Sequence, residues 1–114
     1  MRYFIQSNSF AAPIISDTAT AFVEANSPSE ALERYAARYS HPAGLYAASA
    51  YADANAYHEG AQPLARYLSN HELHKQRLTR DKPAYSYYGE SPGKFEIDGE
   101  SHCIENPKGG RVVR

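Results

Sequence analysis

The chain has 114 residues, which is too few for two independent hydrophobic cores, so a single domain is expected. Its hydrophobic content of 42% fits a folded protein, and its net charge of −1 at pH 7 excludes a global attraction to nucleic acid or acidic membranes. The single cysteine, Cys103, excludes an internal disulfide, and no apolar stretch reaches the roughly 20 residues that span a bilayer.

Two predicted strands open the chain. Residues 2–10 have the β propensity of Tyr3, Phe4 and Ile5. Residues 18–25 alternate polar and apolar side chains, so one face of this strand should meet solvent. The simplest pairing of the two strands is an antiparallel hairpin that leads into a helix.

That helix is predicted over residues 28–39, because the residues before it have the chemistry of a helix start. Ser27 suits the N-cap, and Pro28 suits the first helical position, where its missing N–H costs nothing. Glu30 is placed to bond back to the Ser27 N–H, which would complete a capping box. Apolar residues at helical spacing predict a buried face, with Arg34 and Arg38 toward water. This face comprises Leu32, Tyr35, Ala36 and Tyr39.

The next stretch is harder to assign, because every even position from Ala48 to Ala56 is alanine. The alternation favours a strand, whereas the high alanine content favours a helix. We predict a strand over residues 44–52, followed by a short helical turn that Asp53 caps and Gly60 ends.

A second long helix is predicted over residues 63–77, with Pro63 at a tolerated early position. Ser69 and Glu72 have the spacing of another capping box, so the helix either bends or restarts at Ser69. Alternatively, Ser69 is an exposed serine within the helix. The inward-facing residues of this helix would be Leu64, Tyr67, Leu68 and His71.

The remaining segment has a different composition. Residues 79–94 are typical of a loop because they are rich in proline and glycine. Residues 94–104 predict a β-hairpin around an Asp98-Gly99 turn of type I′. Residues 106–114 are expected to be frayed unless a partner orders them.

Together these elements predict a small α+β fold. An antiparallel sheet, with elements in the order β-β-α-β-α and then a C-terminal hairpin, would be covered by two helices. Residues 1–78 would form the α+β core. Residues 79–114 would supply a loop, hairpin and tail that pack on, or extend from, the same single domain.

Two segments of the chain carry a resemblance. The strand-to-helix join containing SPSEALERYA and the segment PLARYLSNHE resemble stretches of short, uncharacterised proteins encoded by bacteriophages. The resemblance covers about residues 1–75, and its motifs are structural. It implies an accessory factor that acts on host machinery in the host cytoplasm.

Histidines and the cysteine are the candidates for chemistry. His71 and His74 lie three positions apart and could share a metal ion, although the zinc-protease helix needs a spacing of four. They could equally be solvent-facing or core-edge histidines. His102 and Cys103 would point to opposite faces of a strand and could not pair, so Cys103 is expected to be a small buried residue of the hairpin. These patterns predict no catalytic residue and no cofactor.

A basic and tyrosine-rich segment, residues 74–88, is the candidate binding site. Its cations could contact phosphates, and the tyrosines that follow could stack on bases. Acidic residues of the following hairpin could instead neutralise the segment. The candidate residues are Arg77, Arg80, Lys82, Tyr85, Tyr87 and Tyr88.

Three functions are consistent with the sequence. The absence of a catalytic motif, together with ten tyrosines, favours a non-enzymatic cytoplasmic protein that acts through protein–protein contacts or self-association. The tyrosines could instead be bulky filler in an alanine-rich core. The first alternative is a nucleic-acid-binding protein that uses residues 74–88, and the second is a small metal-binding protein or enzyme that uses His71 and His74. No membrane partner is expected.

Overall fold

The computed structural model describes residues 1–10, 18–40, 42–79, 93–97 and 100–113. It has the predicted α+β class. The elements in chain order are β1 (Arg2–Ser9), β2 (Thr18–Glu24), α1 (Pro28–Arg38), β3 (Leu45–Tyr51), α2 (Ala54–His58), β4 (Ala65–Ser69), α3 (Asn70–Thr79), β5 (Lys94–Ile97), β6 (Glu100–Cys103) and β7 (Gly110–Val113).

Five strands form the main sheet in the order β2-β1-β3-β4-β7, and every neighbouring pair is antiparallel. The predicted hairpin of β1 and β2 is confirmed, with Arg2 opposite Glu24 and Asn8 opposite Thr18. The strands β5 and β6 pair with one another, which confirms the predicted hairpin, and they form a two-stranded sheet separate from the main one. The predicted turn residues Asp98 and Gly99 lie outside the described residues.

The start of α1 confirms most of the capping prediction. The Ser27 side chain accepts a hydrogen bond of 3.1 Å from the Glu30 N–H, and Pro28 occupies the first turn. The predicted hydrogen bond from the Ser27 N–H to the Glu30 carboxylate is not formed. The carboxylate instead accepts a hydrogen bond from the Asn26 N–H at 3.3 Å. Because Asn26 lies just outside the helix, the carboxylate still fixes the join between β2 and α1.

Helix α1 covers one face of the sheet, which we call the α1 face. Leu32 and Ala31 are fully buried against it, and Arg34 and Arg38 are exposed as predicted. The Tyr35 hydroxyl bonds to the Ser7 hydroxyl of β1 at 2.6 Å, which ties the helix to a central strand. The buried core on this face includes Tyr3, Ile5, Leu45, Ala48, Ala50 and Ala65. Alanines on the central strands allow α1 to lie close to the sheet.

The opposite face of the sheet, which we call the open face, is covered only at its two ends within the described residues. At one end Tyr57 of α2 packs on Phe4 and Tyr51, with ring centroids 5.3 Å apart in each pair. At the other end α3 packs beside β4. Asp53 caps α2 by accepting from the Ala56 N–H, and Gly60 ends the turn with φ +76°, as predicted.

An extra residue in β3 forms a β-bulge on the side of the sheet where α3 packs. Asn8 pairs with Ala47 and Ser9 with Leu45, so the register between β1 and β3 shifts by one residue at Tyr46. Such a bulge re-aims a side chain. The ring of Tyr46 is buried against Phe10, at a centroid distance of 5.1 Å, and its hydroxyl donates to a Glu72 carboxylate oxygen on α3.

The predicted helix over residues 63–77 is wrong in its first half. Residues 65–69 form β4, which pairs with β3, and Leu64 is 49% exposed rather than inward-facing. The helix begins at Asn70, and the Ser69 side chain accepts from the Glu72 N–H at 3.2 Å. Of the alternatives, a helix start at Ser69 is confirmed, but this start follows a strand and not a first helical segment.

The prediction of a frayed tail is also wrong. Residues 110–113 form β7, which pairs with β4, so the main sheet contains a strand from beyond residue 78. The residues before it are fixed by the start of α3: Asn70 N–H donates to the Gly109 carbonyl at 2.7 Å, and His71 N–H to the Pro107 carbonyl at 3.2 Å. The first N–H groups of a helix have no carbonyl partner inside the helix. Here the carbonyls of residues 107 and 109 provide that partner, so the same bonds complete the start of α3 and fix the tail.

Cys103 is exposed, which contradicts the buried position predicted for it. None of the helices in the described part of the chain is long and apolar enough to cross a membrane.

Candidate anion-binding cleft

A cleft of 390 Å³ lies between α3, β7 and the residue that follows β6. We call it the cationic cleft. Its lining residues are Asn70, Leu73, His74, Arg77, Ile104 and Arg111. Three of these six residues are basic or imidazole side chains, and none is acidic.

The helical repeat explains the α3 wall. Asn70, Leu73, His74 and Arg77 are spaced i, i+3, i+4 and i+7, so they share one side of the helix. Glu72 lies on another side, where it accepts from Tyr46 and from the Gln76 side-chain amide. The Glu72 carboxylate, the acidic group nearest in sequence to these four residues, is therefore held away from the cleft wall.

Within the cleft, the Arg77 guanidinium lies 2.6 Å from Nδ1 of His74. Arginine carries only donors, so Nδ1 of His74 is the acceptor in this contact, and a proton on the neutral ring belongs on Nε2. The contact keeps the Arg77 guanidinium beside His74, which precedes it by three residues in α3. Both side chains line the cleft.

The opposite wall is β7. Arg111 pairs with Leu68, and Val113 pairs with Arg66, so Arg66 and Arg111 are diagonal neighbours on the open face. Both arginines are exposed. Within the part of the chain that the structure describes, Arg77, Arg111 and Arg66 have no carboxylate partner. The cleft therefore opens onto a surface that continues its positive charge.

Of the residues predicted for binding, the structure places Arg77 in this cleft. Arg80, Lys82, Tyr85, Tyr87 and Tyr88 lie outside the described residues. The sequence reasoning missed Arg111 because it assigned Arg111 to a frayed tail. The β-branched pair Val112 and Val113 was the signal that a strand carries it.

His71 and His74 do not share a site. His71 is fully buried, with Nδ1 accepting from the Gly93 N–H at 2.8 Å and its ring packed edge-on against Phe10. His74 lines the cationic cleft instead. Among the described residues no group of three or more His, Cys, Asp or Glu side chains is placed to hold a metal ion. The metal hypothesis for His71 and His74 gains no support from this geometry.

Comparisons with protein-family models, curated proteins and solved structures give no match for the chain. The geometry of the cleft is therefore the ground on which a function is proposed.

Proposed function

We propose that the protein binds nucleic acid and that the cationic cleft receives a phosphate of the backbone. The observation that carries the proposal is the convergence of Arg77, Arg111 and His74 on one cleft, whose lining among the described residues includes no acidic side chain. A planar guanidinium matches two phosphate oxygens at once, so paired arginines suit this anion better than a point charge would.

The surroundings of the cleft support an extended ligand rather than a free ion. Arg66 continues the positive charge across β4, and the half-buried, polar Ser49 and Gln6 follow it along one cross-strand row. In the sequence, residues 80–88 after α3 contain two cations, one acid and three tyrosines, and they lie outside the described residues. Cations beside aromatic rings are the means by which single strands are bound without sequence preference.

The test is binding of fluorescent single-stranded DNA and RNA and of duplex DNA, measured by anisotropy at several salt concentrations. Arg77→Gln and Arg111→Gln should each lower affinity on the order of tenfold at low salt, because each removes a charge-assisted contact. Each should also reduce the slope of log affinity against log salt by roughly 0.7 for a single strand.

The matched control is Arg38→Gln, an exposed arginine at the end of α1 on the other side of the sheet. It changes net charge equally and should leave affinity within the error of the wild type. The proposal fails if the wild type binds none of the three probes at low salt. It also fails if the Arg38 variant loses as much affinity as the two cleft variants.

A second candidate function is association through protein contacts, and one observation favours it. The outer strand β2 has an unpaired edge among the described residues, beside a Phe22 side chain that is 50% exposed. An accessory role toward host machinery would be a case of such association. For either function we place the protein in the cytoplasm, where the exposed Cys103 thiol stays reduced.

A further inference from the structure

The residue pair next to the end of β2 shows which of its backbone groups point toward β1 and which point outward. Met1 and Ala25 exchange both backbone bonds, at 3.2 Å and 2.9 Å. Since bonded and non-bonded pairs alternate in an antiparallel ladder, the N–H groups of residues 19, 21 and 23 also point toward β1. The N–H and C=O groups of residues 18, 20, 22 and 24 therefore point outward, away from the sheet.

Apart from the Arg34 guanidinium, which donates to the outward Glu24 carbonyl at 3.2 Å, the outer edge of β2 lacks the features that usually block pairing. The strand is seven residues long, and its sequence, TATAFVE, contains no lysine, arginine or proline. Natural edge strands are commonly protected by such residues or by being short. The other edge strand, β7, has four residues and carries Arg111. Within the described residues no element lies beyond β2.

We propose that β2 pairs with β2 of a second copy of this chain, antiparallel about a two-fold axis, and so joins the two sheets. The register that pairs the whole strand places Ala21 opposite Ala21 of the second copy. In it, Thr20 faces Phe22 of the second copy and Thr18 faces Glu24. All outward N–H groups then find carbonyl partners, which gives about eight inter-chain hydrogen bonds. Two of these go to the Glu24 carbonyls, each of which also accepts from Arg34 of its own chain at 3.2 Å.

The side chains of β2 suit this register on both faces of the sheet. On the open face, the half-exposed Phe22 gains the Thr20 side chain as a cross-strand neighbour. On the α1 face, Ala19 lies opposite Val23 of the second copy. Ala19 lines a cleft of 380 Å³ with Tyr35 and Tyr39, so the incoming valine is placed at the mouth of an aromatic-walled recess.

Charge also favours a second copy over an unrelated extended segment. The only charged residue in β2 is Glu24, at one end of the strand. The two-fold axis places the two Glu24 side chains at opposite ends of the paired strands, each opposite a threonine. Within the two paired strands, no like charges therefore face one another.

The first test needs no substitution. Amide hydrogen exchange of the full chain is measured by NMR at high and low protein concentration. The outward amides of Thr20, Phe22 and Glu24 should be protected at high concentration and lose at least tenfold of that protection on dilution. The inward amides of Ala21 and Val23 should keep their protection at both concentrations.

The second test fixes the register. Thr20→Lys should weaken dimerisation about tenfold in sedimentation experiments, because the symmetry places the lysine twice in the interface. Phe22→Glu should do the same. The double variant should recover most of the loss, since each introduced lysine then faces the introduced glutamate of the other copy. Ala61→Lys, at an exposed position between α2 and β4, is the matched control and should leave dimerisation unchanged.

A wild-type chain that stays monomeric at every concentration overturns the proposal and leaves an extended segment of another protein as the occupant of the edge. A dimer that Thr20→Lys does not weaken, or whose Thr20 and Phe22 amides exchange freely, also overturns it, because the contact must then lie elsewhere. A dimer that both single variants weaken but the double variant does not restore overturns the register.

Discussion

The two edge strands of the main sheet are positioned in different ways. We call the β2 edge the local end and the β7 edge the distant end. At one end, β2 follows β1 closely in sequence and hands over to α1 through the Ser27 cap, so its position depends on neighbours along the chain. At the other end, β7 pairs with β4 across the long stretch of residues 70–109. It is positioned by bonds from the start of α3 to residues 107 and 109.

This difference separates the two proposed activities. The local end leaves the outer edge of β2 without a neighbouring strand among the described residues, with only the Glu24 carbonyl accepting from Arg34, and such an edge is what a second copy of the chain would need. The distant end uses its strand to finish the sheet, and in doing so brings Arg111 to the cleft that α3 lines. Losing β7 should therefore abolish the cleft without touching the β2 edge.

The largest expected effect comes from a change that breaks both ends together. Leu32 is fully buried beneath α1, and Leu32→Ala should lower the free energy of unfolding by about 2–5 kcal/mol through lost burial and a residual cavity. Urea titration followed by circular dichroism and by exchange of β2 and β7 amides would measure it. If the two ends lose protection at different urea concentrations, they are not one cooperative unit.

The next change should release only the distant end. A Cβ at Gly110 would lie 2.6 Å from the Leu68 carbonyl oxygen and 2.6 Å from the Tyr67 hydroxyl, which is too close for any side chain. Gly110→Val should cost about 1–3 kcal/mol of stability, since the strand must shift or detach. It should also weaken nucleic-acid binding, because Arg111 moves away with the strand.

The control for that change is Val113→Ala, which shortens a half-buried side chain of the same strand without a clash. Exchange of the β7 amides should be fast in the Gly110 variant and near wild type in the control. Equal exchange in both variants would mean that the close approach at Gly110 does not decide whether β7 docks.

A smaller effect is expected at the local end. Ser27→Ala removes the side-chain acceptor for the Glu30 N–H and should lower stability by about 1 kcal/mol. Ser29→Ala, the same substitution two residues into the helix, is the control and should have little effect. A loss at Ser29 equal to that at Ser27 would show that the Ser27 cap is not the cause, since alanine has the higher helix propensity at both positions.

The contrast between the ends also explains what the sequence could predict. The hairpin of β1 and β2, the Ser27 start and the buried face around Leu32 follow from residues that are close in sequence, and these predictions were confirmed. Residues 65–69 have apolar positions that fit both a helical and an alternating repeat. Pairing with β3, which is not visible locally, decides in favour of a strand.

The cationic cleft could be predicted only in part for the same reason. Arg77 was identified because it lies in a basic segment, and basic segments are visible in one dimension. Arg111 enters the cleft only after β7 has paired with β4, so no local pattern joins it to Arg77. The contacts that hold β7 begin at the N–H groups of Asn70 and His71. That these groups need acceptors outside the helix becomes apparent only once α3 is known to start there.

The smallest expected effect concerns the burial of the Tyr67 phenol beside β7. Tyr67 pairs with Val112 of β7, and burial raises the pKa of the Tyr67 phenol above its ordinary value. A raised folded-state pKa means that the unfolded chain releases this proton first. Stability is therefore unaffected below pH about 10, the ordinary tyrosine pKa, and falls as pH rises through the folded value. Tyr67→Phe should reduce this alkaline loss in urea titrations, whereas Tyr51→Phe, on the open face, should leave it unchanged. If both variants lose stability as steeply as the wild type, the Tyr67 phenol is solvated and β7 does not close over it.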